Sequence, residues 1–332
     1  MTFSALSRPI SPEMRGALHE RADAAGCLRF DAFVETVLYH PRLGYYRRPE
    51  QRIGKAGTTD FYTATSLGNA FGHLVAEAAT KLLPSRLAPS ETAFVEIGAE
   101  KGRTVLDSSE HPFAEVRAIA AGEPLELPPK SVVFSNELFD AQPFRRFTRI
   151  DGEWRERGVA LTATGLTECL LTEADDLPST LPAQASEGYC VDLPTGAQNL
   201  TTAIASRPWS GLFLAIDYGK TRQTLFSDHP EGTARAYFRH RQTNDLLANA
   251  GQQDLTCHIC WDDLEEALLA SGFTAARLER QEAFFMHHAA VAIEAILAAD
   301  AAGVGAARRQ LMELLHPNYF GTRFHVLSAV RV

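Results

Sequence analysis

Apolar side chains recur at helical spacing in two early stretches of the chain. Residues 11–40 carry such a face, which predicts a helical segment that Pro41 ends. Residues 67–82 repeat the pattern and predict a second helix, with Ser66 in the position of its N-cap and Pro84 at its end.

Short, largely apolar runs then predict strands, because a strand that is covered on both faces has few polar side chains. One of these runs leads into a glycine-bearing turn, and two others end in amides or carboxylates. The predicted strands are residues 94–97, 116–120, 132–134, 212–216 and 324–332.

A different pattern follows the third of these strands. Residues 145–172 alternate between apolar and polar side chains, and Asp151-Gly152 is a hairpin-turn signal, so this region predicts a β insertion. Asp262 and Glu265 match a capping box at the start of a later helix. Helices are predicted at residues 195–206, 262–271, 289–300 and 305–315.

Strands that alternate with helices predict an α/β fold, with a twisted, mainly parallel, Rossmann-like sheet and helices on both faces. The polar stretch at residues 220–253 is predicted to form a loop. The predicted segments are an N-terminal helical or lid segment at 1–66, the first part of the sheet domain at 67–144, the β insertion at 145–194 and the second part of the sheet domain at 195–332.

Composition and charge narrow the function classes. The chain has 332 residues, 45% of them hydrophobic, and its net charge of −9 with no strongly basic window argues against nucleic-acid binding. No apolar run reaches the roughly 18 residues of a membrane span, which argues against a membrane partner. The five cysteines are an odd, sparse set, typical of free thiols in a reducing compartment. Glu13 and Glu20 argue against a transit peptide, so we expect a cytoplasmic protein.

The candidate chemistry lies at the predicted strand ends. The first strand contains Glu96 and leads into Gly98 and Gly102, in a turn where the backbone bends sharply and a ligand can approach. The carboxyl edge of the strands is where open α/β sheets bind ligands. The candidates at the other strand ends are Asn136, Glu137, Asp140, Asp217 and Tyr218.

Most of these candidates also have an ordinary structural interpretation. Glu96 can hydrogen-bond loop amides, Asn136-Glu137 can form a helix-capping turn, and Asp140 can be an N-cap. Asp217 can lie in a simple turn. A nicotinamide-dependent dehydrogenase is a minor alternative, but neither a full Gly-x-Gly-x-x-Gly nor an acid about 20 residues further on is clear.

One motif suggests metal binding, but only weakly, and a pair of histidines suggests catalysis only weakly. Cys257 and Cys260 form a lone Cys-x-x-Cys without a second matching pair. His287-His288 lies among aromatic residues, which favours packing. We therefore expect no metal.

Six strings, taken in order along the chain, resemble the signature segments of one family. The most distinctive is Asn-Glu-x-x-Asp-Ala-x-Pro at residues 136–143. The others are Leu38-Tyr39-His40-Pro41 with Gly44-Tyr45-Tyr46, Asp60-Phe61-Tyr62-Thr63, Val95-Glu96-Ile97-Gly98, Ile216-Asp217-Tyr218-Gly219 and Asp254-Leu255-Thr256-Cys257-His258. On these residues the chain resembles the MidA family, also called DUF185 or the complex I assembly-factor-7 family, of methyltransferases that depend on S-adenosylmethionine (SAM).

The resemblance implies a class I methyltransferase sheet with a β insertion and an N-terminal helical segment over the cofactor mouth. It implies SAM as the cofactor and a protein arginine as the methyl acceptor. The implied catalytic residues are Asn136, Glu137 and Asp140, the implied cofactor-binding residues are Glu96, Gly98, Gly102, Asp60, Phe61 and Thr63, and the implied substrate-pocket residues are Asp217 and Tyr218.

Departures from the family pattern leave a second function open. The family's Gly-Pro-Gly-Arg-Gly loop is Gly98-Ala99-Glu100-Lys101-Gly102 here, and its Thr-Ala-Pro-Glu is Thr63-Ala64-Thr65-Ser66. Residues 103–131 are short for a second strand and the helix after it, and Glu115 and Glu123 are equal candidates for a ribose-binding acid. The alternative is a binding or assembly factor that keeps the fold without efficient SAM binding. We expect a protein substrate or partner, and allow for a homodimer.

Overall fold

The computed structural model describes residues 7–47, 69–99, 102–172, 177–239, 241–299, 305–316 and 321–332. Within these ranges the chain forms nine α-helices and sixteen β-strands. The helices are α1 (Pro12–His19), α2 (Phe30–Tyr39), α3 (Asn69–Leu82), α4 (Thr195–Ala205), α5 (Arg222–Ser227), α6 (Trp261–Ala270), α7 (Gln281–His288), α8 (Ala290–Ala299) and α9 (Ala306–Leu315). The strands are β1 (Cys27–Arg29), β2 (Ala93–Ile97), β3 (Glu115–Ile119), β4 (Lys130–Asn136), β5 (Arg145–Ile150), β6 (Glu153–Thr162), β7 (Gly165–Leu170), β8 (Cys190–Leu193), β9 (Ser210–Asp217), β10 (Gly219–Lys220), β11 (Arg235–Phe238), β12 (Arg241–Thr243), β13 (Asp254–Thr256), β14 (Ile259–Cys260), β15 (Thr274–Arg280) and β16 (His325–Arg331).

Six strands form the central sheet, in the order β15-β16-β9-β4-β2-β3. The strands β3, β2, β4 and β9 are parallel to one another, whereas β16 runs antiparallel to both of its neighbours. The apolar runs of the sequence form these parallel strands because both faces of the sheet are covered. The predicted α/β fold with a mainly parallel sheet is confirmed.

Helices cover the two faces of this sheet, and alternate residues of each strand point to opposite faces. Phe94 and Leu212 belong to the core that includes α3, α7, α8 and α9, whereas Val95 and Phe213 belong to the core that includes α4 and α6. Among the described residues, no single helix is long and apolar enough to cross a membrane. The helices α7 and α8 reach that length and composition only together, and they meet at a bend of 87°.

A second sheet joins the insertion to the N-terminal segment. Strands β5 to β8 form it, as the alternating pattern predicts, and β1 pairs antiparallel with β6. Asp151 and Gly152 connect β5 to β6 with φ of +51° and +75°, the left-handed values that a type I′ hairpin turn requires. Buried residues of α1, α2, β6 and the 234–257 region share one core beside this sheet.

Two predictions of extent are wrong in part. Residues 11–40 form two helices rather than one helical segment, because β1 and a left-handed turn at Gly26, with φ of +77°, separate α1 from α2. Residues 220–253 are not all loop, since they contain α5, β11 and β12. The three residues of β12 are all exposed, so this strand has no apolar pattern by which the sequence could predict it.

The predicted capping box at α6 is absent. The N-cap of α6 is Cys260, which makes no side-chain capping bond. Asp262 instead lies within the first turn, where its Oδ2 accepts the backbone N–H of Arg222 at 2.8 Å. The helix itself spans nearly the predicted range.

In the described ranges, β3 is the edge strand of the central sheet on the side of the glycine turn. Residues 120–129, which connect β3 to β4, contain three prolines and no helix. Within the described ranges, no further strand pairs with the outer edge of β3. This agrees with the prediction that residues 103–131 are short for a doubly wound fold.

Candidate functional site

The sheet brings three of the predicted strand ends together. Strand β4 lies between β2 and β9, with Glu96 opposite Phe134 and Asn136 opposite Ile216. Because these strands are parallel, Gly98, Glu137 and Asp217 all lie at one carboxyl edge. These three candidate residues, which are far apart in the sequence, therefore lie on neighbouring strand ends at the predicted ligand site.

Glu96 lies under the turn that follows β2. Its side chain is buried, and its Oε2 accepts the backbone N–H of Val105 at 2.7 Å. Burial raises the pKa of the Glu96 carboxyl to about 8, the Val105 amide opposes this shift, and Asp107 adds to it. Glu96 thus holds the turn in place. This is the structural role, a hydrogen bond to a loop amide, that the sequence analysis allowed for it.

The glycines of the turn are open to solvent. Gly98 has φ of +84° and donates its N–H to the carbonyl of Ile119 at 2.8 Å, and a Cβ at this position would stand 2.8 Å from Cδ1 of Leu138. Gly102 has φ of +67° with open space beside it. A sharp bend with close backbone approach is the role that the sequence predicts for these glycines. The predicted cofactor residues Asp60, Phe61 and Thr63, and the loop residues Glu100 and Lys101, lie outside the described residues.

Asn136 and Glu137 occupy the edge between the glycine turn and β9. The Asn136 Nδ2 donates to Oε1 of Glu137 at 3.1 Å, while the Asn136 Oδ1 is buried and has no hydrogen-bond partner among the described residues. Glu137 has φ of +50°, a conformation that only a few per cent of non-glycine residues adopt. Its N–H donates to the carbonyl of Ile216 at 3.0 Å, which fixes the strained turn against β9.

Asp217 is fully buried beneath this turn. Its Oδ2 accepts the N–H of Phe139 at 2.9 Å and that of Asp140 at 3.3 Å, and its Oδ1 accepts the N–H of Tyr218 at 2.8 Å. Burial and the nearby Asp140 raise the pKa of Asp217 well above its ordinary range, although the amides oppose this. Asp217 therefore positions the turn that carries the other candidates.

Asp140 is also buried, and the hydroxyl of Tyr218 hydrogen-bonds its carboxyl group. Burial raises the pKa of Asp140 to about 6, and the Tyr218 hydroxyl partly offsets this rise. Within the described part of the chain, the Oδ1 of Asp140 has no hydrogen-bond partner. Asn136 and Asp140 thus each present one unsatisfied oxygen near the same edge, which is costly unless a donor binds there.

The structure adds tyrosines that the sequence did not assign to the site. The hydroxyl of Tyr39 donates to the carbonyl of Ala141 at 3.0 Å, and that of Tyr46 donates to Oδ1 of Asp254 at 2.8 Å. The two rings stack with their centroids 5.3 Å apart. Both tyrosines and Asp254 belong to the sequence strings that resemble the family. The sequence therefore marked these residues, but it did not indicate what they do.

The N-terminal segment also reaches the turn after β3. The guanidinium of Arg47 lies against Gly122, which has φ of +79°. Glu123 follows at the carboxyl edge and accepts the N–H of Ala120 at 2.8 Å. Glu115 lies at the opposite end of β3, paired with Arg117. From the sequence, Glu115 and Glu123 were equal candidates for the ribose-binding acid. In the structure, only Glu123 lies at the carboxyl edge of the sheet.

The Cys-x-x-Cys motif and the His287-His288 pair differ in their surroundings. Cys257 and Cys260 are buried free thiols near β14. His288 packs against a phenylalanine, as predicted, but His287 and His288 both also contact the carboxylate of Glu279. This second contact was not foreseen from the sequence.

A sheet in this order, with one antiparallel strand near the edge and a glycine turn after β2, defines a class I methyltransferase fold. A family model described as "Putative S-adenosyl-L-methionine-dependent methyltransferase" matches residues 78–278, and the chain belongs to this family. The predicted MidA or DUF185 resemblance and the predicted cofactor, SAM, are thereby confirmed.

Two solved structures from Burkholderia thailandensis show the same fold. One is a COG1565 superfamily member bound to S-adenosyl-homocysteine, with 23% identity and a TM-score of 0.82. The other is a native COG1565 superfamily protein, with 23% identity and a TM-score of 0.77. Each comparison covers 98% of this chain and 95% of the other. No protein in the curated set matches the chain.

Proposed function

We propose that this chain transfers a methyl group from SAM to an arginine side chain of a protein. The observation that carries the proposal is the pair of unsatisfied oxygens, Asn136 Oδ1 and Asp140 Oδ1, beside the strained carboxylate residue Glu137. Oxygen acceptors and negative charge at one edge fit a group that is both cationic and rich in N–H donors. A guanidinium has both properties.

The cofactor side of the proposal rests on β2 and β3. The open backbone at Gly98 and Gly102 leaves room for the amino-acid end of SAM, and Glu96 keeps that turn in shape. Glu123, at the carboxyl end of β3, is the acid that we assign to the ribose hydroxyls, because Glu115 lies at the wrong end of the strand. When bound, SAM supplies an electrophilic methyl group on a sulfonium.

On the acceptor side, the residues of the chain orient a nitrogen and take its proton. Asn136 Oδ1 accepts an N–H of the guanidinium, and Glu137 balances its charge, which holds the acceptor in a near-attack position. Asp140 has a pKa of about 6, so at neutral pH it is ionised yet still basic enough to take the departing proton at Oδ1. Asp217 and Tyr218 position Asp140.

The first test is calorimetric titration of the purified protein with SAM and with S-adenosylhomocysteine. We expect micromolar binding that is lost in Gly98→Val, because the added side chain would meet Leu138 and strain a φ of +84°. Gly272→Ala is the matched control, since Gly272 has φ of +85° with open space around it and lies away from the glycine turn.

The second test is methyl transfer to peptides that contain arginine or lysine. Transfer to arginine alone, reduced at least tenfold in Glu137→Gln, supports the proposal. If the protein binds SAM but methylates no arginine peptide, the proposal that arginine is the methyl acceptor is contradicted. A folded protein that binds neither compound would instead favour the assembly factor, and pull-downs would then seek its partner. The cytoplasmic location and the homodimer stay predictions.

A further inference from the structure

Three potential metal ligands converge at the edge of the sheet farthest from the glycine turn. Glu279 lies on the edge strand β15, and His287 and His288 form the last turn of α7. The Nδ1 of His287 is 2.8 Å from Oε1 of Glu279, and the Nε2 of His288 is 3.0 Å from Oε2. The potential ligand atoms all lie within 4.8 Å of one another.

We propose that Glu279, His287 and His288 form a binding site for one divalent transition-metal ion of the Zn²⁺ class. Imidazole nitrogens and a carboxylate oxygen are the donors that Zn²⁺, Ni²⁺ and Cu²⁺ prefer, whereas Mg²⁺ and Ca²⁺ prefer oxygen alone. Three protein ligands leave at least one position for water. The two His–Glu separations, 2.8 and 3.0 Å, are slightly shorter than the distance between two ligands of one Zn²⁺ ion, so an ion needs only a small opening of these contacts.

The burial of the three side chains suits such a site. The side chain of His287 is 63% exposed and gives the ion a path from solvent, while those of Glu279 and His288 are 20% and 12% exposed and are held by packing. The ring of Phe284 lies 4.9 Å from that of His288. The other ring nitrogen of His288, Nδ1, is buried and has no hydrogen-bond partner among the described residues, which leaves Nε2 as the nitrogen that faces Glu279.

The site is independent of the proposed methyl transfer. Glu279 is in register with Asn136, but β16 and β9 lie between them, so the two residues are three strand spacings or roughly 14 Å apart and the ion would not touch the Asn136 edge. Its ligands come from β15 and from α7, which follows it in the chain. A bound ion would therefore tie the corner between α7 and α8 to the edge strand and stabilise the fold there.

The test uses the full chain without a histidine tag, treated with a chelator and then titrated with ZnCl₂ by calorimetry. We expect one Zn²⁺ per chain, a raised melting temperature, and at least a tenfold loss of affinity in His287→Ala. His19→Ala is the matched control, because His19 is also an exposed histidine in the last turn of a helix. This control should bind Zn²⁺ as the wild type does.

A second variant, Glu279→Gln, tests the carboxylate without removing a histidine. It should also weaken Zn²⁺ binding at least tenfold, and both variants should lose the rise in melting temperature. The absence of binding by the folded wild type would overturn the proposal. Binding that persists unchanged in both variants would overturn it as well, because the ion would then lie elsewhere. Methyl transfer by the metal-free protein is unaffected under either result.

Discussion

Glu137 combines a strained backbone with a functional side chain. A non-glycine residue in the left-handed region loses roughly 1–2 kcal/mol relative to the right-handed one, and Glu137 has φ of +50°. Such strain persists where the surrounding structure enforces it, and it clusters at functional sites. The N–H bond to Ile216 and the carboxylate of Asp217 below are the enforcing contacts.

We expect Glu137→Gly to change the free energy of unfolding by less than about 1 kcal/mol, because relief of the positive φ offsets the greater freedom of glycine in the unfolded chain. The same variant should lose at least tenfold in kcat/KM with an arginine peptide, because it lacks the carboxylate. Urea unfolding and steady-state kinetics measure the two effects. A parallel loss of stability and activity would show that Glu137 only shapes the turn.

The buried carboxyl of Glu96 makes stability depend on pH. Its pKa of about 8 in the folded state lies above its ordinary value of 4.5, so the folded protein retains a proton that the unfolded chain releases. The proton on Glu96 therefore adds its full contribution to the free energy of unfolding below pH 4.5. This contribution is lost as the pH rises towards 8.

We expect Glu96→Gln to flatten this dependence, because the amide oxygen still accepts the Val105 N–H and carries no charge to bury. Urea unfolding at pH 5, 6.5 and 8 measures it. The variant should gain stability relative to the wild type as the pH rises. A constant difference between the two proteins over this range would show that Glu96 ionises normally in the fold.

The sequence located individual residues better than it assigned their roles. Glu96, Gly98 and Asn136 were found because strand ends can be read from apolar runs. The use of Asp217 by three backbone amides could not be foreseen, because it depends on how the turn after a different strand folds against it. The left-handed backbone of Glu137 could not be predicted either, because glutamate is not a residue type that favours a positive φ.

The β insertion is built around buried ion pairs. On β5, Arg145 forms a bidentate pair with Glu156, and Arg146 lies 2.9 Å from the fully buried carboxylate of Asp192 on β8. Asp192 also accepts the N–H of Ala234. These charges connect the insertion to the chain that follows β9.

We expect Arg146→Ala to reduce the free energy of unfolding by about 3–5 kcal/mol, because it leaves the Asp192 carboxylate buried and unpaired. Arg155→Ala is the control on the adjacent strand, since the Arg155–Glu153 pair is exposed and should contribute at most about 1 kcal/mol. Urea unfolding measures both. Equal effects of the two substitutions would show that Asp192 finds another partner or takes up a proton.

Elements with local signals were predicted well, and those that need a distant partner were not. The Asp151-Gly152 hairpin and the helices α3 and α4 follow from turn residues and apolar spacing. Strand β1 has three residues and pairs with β6, more than a hundred residues away. Such a pairing has no local periodicity, which is why residues 11–40 were predicted as one helical segment.

At the scale of the whole molecule, the N-terminal segment is part of a core rather than an appendage. Phe30, Phe33 and Leu38 are fully buried together with Phe144 and with residues of the 234–257 region. Tyr39 and Tyr46 then connect this core to the candidate site. The sequence predicted a helical or lid segment at residues 1–66, and residues 48–66 of it lie outside the described ranges.

We expect removal of residues 1–47 to unfold more than that segment, because it exposes the apolar faces of β6 and of the 234–257 region at once. The truncated chain should aggregate or lose the cooperative thermal transition, as measured by calorimetry and light scattering. A soluble truncated protein that melts at the temperature of the wild type would show that the sheet domain folds alone.

The placement of β16 sets an order of assembly during synthesis. Of the three neighbouring strands β9, β16 and β15, the middle one is translated last. While the ribosome is still making it, β9 and β15 have no partner to join them, and one edge of β9 offers unpaired amides and carbonyls to any passing chain. This side of the sheet therefore closes only after β16, the last of these three strands to be made, whereas a sheet built in sequence order could pair each strand as it emerges.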